Sequence, residues 1–462
     1  MQIFDTLRNT KTELEFSDKV RIYLCGVTVY DDAHIGHART IIVFDVLRRF
    51  LESQKIPVEF VQNFTDVDDK IIERAHQEKT PPLELAAKYT KNYFDDFDGL
   101  NVKRATKYPK ATEHIEDMQN LISNLVDKKY AYVTKNGVYF SVSKLTEYGK
   151  LSKKKIDDLV SGARVTVDEE KSNPIDFALW KFSNSAPSWD SPWGKGRPGW
   201  HIECSAMSLK YLGENFEIHG GGRDLIFPHH ENEIAQSESN TSKQFAKIWM
   251  HVGMITINGE KMAKSIGNVK SVNHVLEDWG PNVIRLFCLS GHYSKPIDYS
   301  EKLLKENITK LRQIESCYYE LRLAEVDDTG SAADIVVNEC QNEFNSALNN
   351  DFNTPLALAA YYKLIRAVNS VAAEEKLTVP DAKRILPAFE RMSEILGIHI
   401  VKVTDQEKNE INRMIKKRDE YRVEKNYEQA DKIRDEIAKK NIIFVDHKNS
   451  TTWVKREKIK AE

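Results

Sequence analysis

A strand–helix–strand pattern near the start of the chain restricts the fold more than any other feature of the sequence. Residues 19–25 (KVRIYLC) alternate polar and apolar side chains as strands do, and residues 58–64 (VEFVQNF) have the composition of a second strand. Between them, residues 37–53 carry apolar side chains at helical spacing. Two strands joined by a helix of this length predict a parallel sheet with a right-handed crossover.

The remainder of the chain divides into regions of different character. Helical periodicity continues to about residue 125, and the Asn136-Gly137 pair then predicts a β-hairpin. Residues 151–200 contain four prolines and predict an irregular insertion. Beyond Ser300 the periodicity is almost wholly helical, and the C-terminal segment is rich in charged side chains.

The composition excludes several classes of protein. The 462 residues are 10% aromatic and carry 67 Lys and Arg against 70 Asp and Glu, a net charge of −3. This aromatic content is too high for a disordered chain. The sequence has no apolar run of about 18 residues that would span a membrane, and no apolar signal segment. Five scattered cysteines indicate a reducing compartment rather than a disulfide framework. We therefore expect a cytoplasmic protein of about three domains, with no membrane partner.

A pair of histidines follows the first predicted strand and opens the helix. His34 and His37, in the sequence HIGH, lie three residues apart and therefore share one face of the first helical turn. The free backbone N–H groups and the positive dipole end of the helix point the same way. Gly36 between them lets a planar group approach the backbone. The arrangement predicts a phosphate site at the carboxyl end of the sheet, although two histidines that merely cap a helix remain an alternative.

A second cationic motif occurs about 220 residues later. The segment NGEKMAKS places Lys261 and Lys264 three residues apart in a loop that begins with glycine. Mobile point charges of this kind suit the charge that develops on a leaving phosphate group. Lysine pairs are common in charged proteins, so the alternative is an ordinary solvated loop.

The two motifs together resemble the HIGH and KMSKS signatures of class I aminoacyl-tRNA synthetases, with Ala263 in place of a serine. Within that class, longer segments of the chain resemble the cysteinyl-tRNA synthetases over essentially the whole length and in the same order. These segments are YLCGVTVYDDAHIGHART, FTDVDDKII, GRPGWHIECSAM, HGGGRDLIFPHHENEIAQSE, LSGHY, DFNTPLALA and the final TTW.

The resemblance implies an α/β fold class. It consists of a Rossmann-like parallel-sheet catalytic domain with an insertion, an α-helical bundle that binds tRNA, and a small C-terminal domain. We expect the following segments: the first catalytic half with HIGH (1–125), a connective insertion (126–200), the second catalytic half (201–250), a stem-contact region with the KMSKS-like loop (251–310), the helical bundle (311–400) and the anticodon-binding domain (401–462).

The resemblance also implies one zinc ion, and the positions that match its ligands are Cys25, Cys204, His229 and Glu233. Zinc separates cysteine from serine because a thiolate is a soft, strong ligand and a neutral hydroxyl is not. The positions that match the cysteine pocket are Thr65, Trp200 and His219. His230 is interpreted as a neighbour of the metal ligands or a surface residue. The remaining cysteines, Cys288, Cys317 and Cys340, are expected to be small buried apolar residues.

The implied reaction is the activation of L-cysteine by ATP with Mg²⁺, followed by transfer to the terminal adenosine of tRNA-Cys. His34, Gly36, His37, Lys261 and Lys264 would bind ATP and stabilise charge on its phosphates. We expect the enzyme to be a monomer. Candidates for contacts to the tRNA, phosphate-binding cations and one base-stacking ring, are Arg413, Lys416, Lys417, Arg418, Arg422 and Trp453.

Two other functions remain open from the sequence. The first is a related ligase that transfers activated cysteine to a small-molecule amine, which would have less reason to keep an anticodon-reading tail. The second is a non-catalytic zinc- and RNA-binding relative, which predicts a damaged HIGH motif or a lost lysine. Both motifs are intact here, and the tail persists to Trp453.

Overall fold

The computed structural model describes residues 1–155, 171–262, 267–326, 337–447 and 451–462. They form two compact units. The first comprises Met1–Val272, Tyr293–Ile297 and Asn350–Phe352, and the second comprises Asn273–His292, Asp298–Asn349 and Asn353–Glu462.

The described strands are β1 (Gln2–Asp5), β2 (Thr10–Glu13), β3 (Val20–Thr28), β4 (Val58–Thr65), β5 (Ala131–Val133), β6 (Gly137–Phe140), β7 (Phe177–Phe182), β8 (Gly196–Pro198), β9 (Phe216–Gly222), β10 (Ala246–Val252), β11 (Ile255–Ile257), β12 (Glu260–Lys261), β13 (Ile297–Tyr299), β14 (Ile442–Asp446) and β15 (Thr451–Lys455). The described helices are α1 (Ile35–Ser53), α2 (Asp69–Glu78), α3 (Pro82–Gly99), α4 (Ile115–Asp127), α5 (Trp200–Leu212), α6 (Glu231–Thr241), α7 (Val272–Leu289), α8 (Glu301–Leu323), α9 (Val337–Asn349), α10 (Thr354–Ala373), α11 (Val379–Leu396), α12 (Asp405–Val423) and α13 (Tyr427–Lys439).

A four-stranded parallel sheet forms the centre of the first unit, in the order β10-β9-β3-β4. The predicted strand–helix–strand segment is therefore confirmed, with α1 joining two neighbouring strands. The helix begins earlier than the apolar pattern predicts because His34 caps it. All four strands run the same way, so their carboxyl ends meet at one edge of the sheet, where α/β proteins bind ligands.

Gly26 permits an unusually close approach of β3 and β4. The pairing is irregular between Leu24 and Val27, and a Cβ atom at Gly26 would lie 1.6 Å from the carbonyl oxygen of Asn63. The obstacle is backbone, which cannot rotate away as a side chain can. No residue with a Cβ atom fits between the two strands, so this position requires glycine.

We expect Gly26→Ala to lower the free energy of unfolding by at least about 3 kcal/mol, since the two strands would have to separate. Urea denaturation followed by circular dichroism measures the change. Thr10→Ala, on the exposed face of β2, is the control and should change the free energy by less than about 0.5 kcal/mol. Equal stability of the Gly26 variant and the control would contradict this account of the strand pair.

A second sheet, β5-β6-β7-β8, is antiparallel and packs against α4 and α5. The hairpin predicted around Asn136-Gly137 is confirmed, because β5 pairs with β6. The prediction that residues 151–200 are wholly irregular is wrong for β7 and β8. Phe177, Leu179 and Trp180 are buried in the core of this sheet, which stabilises β7 despite the nearby prolines.

A short segment from far along the chain completes the edge of the first unit. Asn350 pairs with Gln2, and the Asp351 side chain accepts hydrogen bonds from the Phe4 backbone N–H at 2.8 Å and from the Tyr293 hydroxyl at 2.9 Å. The Asp351 N–H in turn donates to the Gln2 carbonyl at 2.9 Å. Residues 350–352 therefore belong structurally with the N-terminal hairpin of β1 and β2.

The second unit is mainly helical and ends in the β14–β15 hairpin. Trp453 of this hairpin is 1% exposed, lies against the Tyr319 ring and donates a hydrogen bond from Nε1 to Asn412 Oδ1 at 2.9 Å. The three cysteines expected to be buried apolar residues, Cys288, Cys317 and Cys340, are indeed buried. The α/β fold with a following helical region is confirmed. Within the described residues, no helix is long and apolar enough to cross a membrane.

Candidate active site and metal centre

A cavity of about 350 Å³ opens at the carboxyl edge of the parallel sheet. It is lined by residues that the sequence places in three separate motifs: the first strand and its loop, the HIGH helix start, and the segment around α5 and α6. Those of the predicted site residues that line it are Cys25, His34, Gly36, His37, Thr65, Trp200, Cys204 and His229. One cavity therefore brings together residues more than 200 positions apart.

His34 and His37 form a reciprocal cap at the start of α1. The His37 N–H donates to His34 Nδ1 and the His34 N–H donates to His37 Nδ1, both at 3.3 Å. Their rings stack with centroids 3.7 Å apart. Because both Nδ1 atoms accept hydrogen bonds, each neutral ring carries its hydrogen on Nε2. The helix start therefore offers ring donors as well as its positive dipole end.

The second signature approaches the first near Gly36. A Cβ atom at Gly36 would lie 3.0 Å from the His34 ring and 3.2 Å from the Met262 side chain, so any larger residue would crowd the cavity. Lys261 belongs to β12, which pairs with β11. Ala263 and Lys264 lie outside the described residues.

Arg39, two residues after His37, holds the segment that leads to the second signature. Its fully buried guanidinium donates to the carbonyl oxygens of Gly253 at 2.9 Å, Met254 at 3.1 Å and Lys295 at 2.7 Å. A guanidinium fits such a set of acceptors because its N–H groups point in fixed directions. The HIGH helix and the strand ends beside the cavity are thereby held together.

Four predicted metal ligands converge at the inner end of the cavity. Ligand atoms of Cys25, Cys204, His229 and Glu233 all lie within 4.8 Å of one another, and all four residues are buried. The Cys25 sulfur lies 3.3 Å from Glu233 Oε1, and His229 Nε2 lies 3.1 Å from the same oxygen. Two sulfurs, one imidazole nitrogen and one carboxylate oxygen form a donor set that suits a tetrahedral zinc ion.

The electrostatics of this cluster favour a cation. Burial raises the pKa of the Cys25 thiol well above its ordinary value, and the neighbouring Cys204 and Glu233 raise it further. Burial lowers the pKa of His229 to about 3, so its ring is neutral and able to bind a metal at neutral pH. A metal ion in the centre would compensate the crowded acidic groups, and the residues therefore fit a metal site.

His219 and His230 lie behind the cluster rather than on the cavity wall. His219 Nε2 is 2.8 Å from Glu233 Oε2, and His230 Nδ1 is 2.8 Å from His251 Nε2. With Cys25 and Glu233 they form a second group whose ligand atoms also lie within 4.8 Å of one another. His230 is fully buried, so the surface alternative for this residue is wrong. The sequence did not predict that His251 lies beside this cluster.

The wall beside the metal cluster contains both cavity-lining residues of the predicted cysteine pocket. The Trp200 ring stacks on His229 at 4.3 Å, and the Thr65 hydroxyl donates to Glu203 Oε2 at 2.7 Å. Burial raises the pKa of the Glu203 carboxyl well above its ordinary value. Asn63 and Glu203 were not predicted from the sequence; each is a buried polar residue, Asn63 in β4 and Glu203 in α5.

The predicted tRNA contacts divide into exposed and buried residues. Those exposed on α12 are Arg413, Lys416, Lys417 and Arg422. Arg418 is only 4% exposed and its guanidinium lies over the Phe444 ring, so the prediction that it contacts phosphate is wrong for this conformation. The prediction that Trp453 stacks on a base is also wrong, because its ring is enclosed in the second unit.

Family models and curated relatives agree on the family to which this chain is similar. Residues 12–309 match the family described as tRNA synthetases class I (C) catalytic domain, and residues 343–400 match the DALR domain. The cysteine–tRNA ligases of Thermodesulfovibrio yellowstonii and Carboxydothermus hydrogenoformans are each 46% identical to this chain, covering 98% of it and 99% of the relative.

The solved structures agree with this at the level of the fold. Methionyl-tRNA synthetase of Mycobacterium tuberculosis, in complex with methionyl-adenylate, is 15% identical, with a TM-score of 0.62 over 82% of this chain and 90% of that one. Such a low identity supports the architecture alone, whereas the sequence relatives span nearly the full length. The chain therefore belongs to the cysteine–tRNA ligase family of class I aminoacyl-tRNA synthetases.

Proposed function

We propose that this enzyme activates L-cysteine with ATP to form cysteinyl-adenylate and transfers the cysteine to the 3′-terminal adenosine of tRNA-Cys. The observation that carries the proposal is one cavity with a buried set of four possible metal ligands at one end and the capped start of α1 at the other. A cysteine with its sulfur at the first end would present its carboxylate toward a nucleotide at the second.

The metal in this proposal is zinc, held by Cys25, Cys204, His229 and Glu233. A zinc ion held there would supply a soft Lewis acid, which favours a thiolate sulfur over the hydroxyl of serine. An ordinary pocket separates two side chains of such similar size poorly. The Trp200 ring, stacked on His229, lines the cavity next to the ligand set.

Adenylate formation needs no protein nucleophile, because the cysteine carboxylate attacks the α-phosphate of ATP and pyrophosphate leaves. His34 and His37 would donate from Nε2 to the phosphates, and Gly36 leaves room for the nucleotide against α1. These groups act by positioning and by stabilising charge that builds up in the transition state. Mg²⁺ would accompany ATP, bound largely through phosphate oxygens and water.

The acceptor in this proposal is a tRNA rather than a small amine. The match to the DALR domain and the near-complete coverage of cysteine–tRNA ligases favour tRNA over the related small-molecule ligases. The exposed cations of α12 would contact tRNA phosphates. We further propose that the enzyme is a cytoplasmic monomer. Its few, buried cysteines are in keeping with a reducing compartment.

The test is ATP–pyrophosphate exchange with cysteine and with serine, followed by charging of purified tRNA-Cys. Exchange with cysteine alone and charging of the tRNA is the expected result. Exchange without charging would support the small-molecule ligase instead. No exchange by fully metallated protein would overturn the catalytic proposal.

Lys261 and Lys264 would stabilise the leaving pyrophosphate, and Lys264 is expected to contribute most. Lys264→Ala should lower the rate of adenylate formation by about 100-fold, because a mobile positive charge is lost from the transition state. Zinc content should not change. Lys243→Ala, at an exposed lysine paired with Glu214, is the control and should keep the full rate. A normal rate of adenylate formation by the Lys264 variant would refute this role.

A further inference from the structure

Glu203 is a fully buried carboxyl group that uses only part of its hydrogen-bonding capacity. Its Oε2 accepts the Thr65 hydroxyl hydrogen at 2.7 Å, whereas Oε1 has no partner among the described residues. No described lysine or arginine forms an ion pair with it. Buried polar atoms are nearly always satisfied in folded proteins, so this arrangement calls for a reason beyond packing.

The contact with Glu203 decides which part of the Thr65 hydroxyl can meet a ligand. A hydroxyl has one hydrogen and two lone pairs, and here the hydrogen points to Glu203. The Asn63 side-chain amide approaches Thr65 Oγ1 at 3.5 Å, which is long for a hydrogen bond. Thr65 lines the cavity, and with its hydrogen directed to Glu203 its hydroxyl can offer a lone pair to a ligand there.

The neighbouring contacts connect this hydroxyl to the metal end of the cavity. The Asn63 side-chain oxygen accepts the Gly26 N–H at 2.8 Å and lies 3.6 Å from the Cys204 sulfur. A substrate whose sulfur occupies the metal site would therefore have its α-carbon substituents close to Thr65. An acceptor at this position suits an ammonium group and repels a carboxylate.

We propose that Glu203 is a positioning residue for the α-ammonium group of the substrate, acting through the Thr65 hydroxyl. By accepting the hydrogen of Thr65, Glu203 directs a lone pair of that hydroxyl to the ammonium and sends the carboxylate toward the nucleotide end. The inference rests on the proposed function, because it takes cysteine as the ligand. It adds a residue that discriminates the two polar ends of that ligand.

The experiment separates the amine from the thiol with two partial substrates. Cysteamine keeps the thiol and amine and lacks the carboxylate, whereas 3-mercaptopropionate keeps the thiol and carboxylate and lacks the amine. Both are assayed as inhibitors of cysteine-dependent ATP–pyrophosphate exchange. The variants are Glu203→Met, which removes the acceptor, and Glu203→Gln, whose amide oxygen can still accept from Thr65.

In Glu203→Met, we expect the inhibition constant of cysteamine and the KM of cysteine to rise about tenfold, as expected for losing a hydrogen bond to a charged group. The inhibition constant of 3-mercaptopropionate and the KM of ATP should stay within about twofold. Glu203→Gln should restore the affinity for cysteamine to within about threefold of the wild-type value.

Two further measurements guard against a structural explanation. Thr65→Val should show the same amine-specific loss, and adding Glu203→Met to it should cause no further loss, because both changes act on one hydroxyl. If the Glu203 variant does not fold, the Thr65 variant alone still tests whether this hydroxyl binds the amine. Equal weakening of both inhibitors, or no rescue by glutamine, would overturn the proposal. A wild-type enzyme without cysteine-dependent exchange would instead refute the proposed function.

Discussion

Cys204→Ser is expected to reduce the zinc content of the purified enzyme to below about one fifth of the wild-type value and to raise the KM for cysteine at least about 100-fold. A serine hydroxyl stays protonated at neutral pH and is a poor zinc ligand, whereas the cysteine sulfur becomes a thiolate on binding. The other three ligands would then have to hold the metal alone. Metal analysis and cysteine-dependent exchange measure the two effects.

Cys317→Ser provides the matched control for this substitution. Cys317 is equally buried, but it lies in α8 of the second unit and far along the chain from the metal cluster. The control should keep its zinc and its KM for cysteine while losing some stability. Unchanged zinc content and cysteine affinity in the Cys204 variant would refute the ligand assignment.

His37→Ala is expected to lower the rate constant of adenylate formation by about 100- to 1,000-fold, the effect typical of losing one donor to a developing oxyanion. The variant removes the ring donor and also breaks the reciprocal cap with His34. Single-turnover formation of cysteinyl-adenylate measures the rate directly. Zinc content should be unchanged, because the metal cluster does not include this ring.

The control for the histidine variant is His76→Ala, at an exposed histidine near the end of α2. It should leave adenylate formation within about twofold of the wild-type rate. A thermal melt of both variants shows how much of the effect comes from the lost cap, which contributes about 1 kcal/mol. A normal rate in the His37 variant would contradict its role at the phosphates.

The parallel sheet was predictable because its information is local. The apolar strands and the amphipathic spacing of α1 are visible in short windows, and α1 ends where the pattern ends, at Ser53. The hairpin at Asn136-Gly137 was predictable for the same reason. By contrast, β7 occurs in a proline-rich region, and its burial against α5 depends on residues distant in the sequence.

The candidate site, like the fold, was predicted only in part. Motif resemblance led to Cys25, Cys204, His229 and Glu233, and the fold brings their ligand atoms together. Asn63 and Glu203 were missed because their contacts join β4 to α5, 138 to 141 residues apart in the sequence, and no local pattern encodes them. The prediction from charge alone that Arg418 contacts phosphate was also wrong, since the burial of a side chain depends on how its helix packs and not only on the residue type.

Residues 350–352 pack with the N-terminal hairpin, and this affects when the first unit can complete its fold during synthesis. Until Phe352 has left the ribosome, the Phe4 N–H and the Tyr293 hydroxyl lack their shared acceptor, Asp351. By that stage α8 and α9 of the second unit have already been synthesised. The first unit therefore cannot be complete until α8 and α9 of the second unit have been synthesised. A fragment that ends near residue 310 would lack Asp351 and the pairing of Asn350 with Gln2, so its first unit would be incomplete.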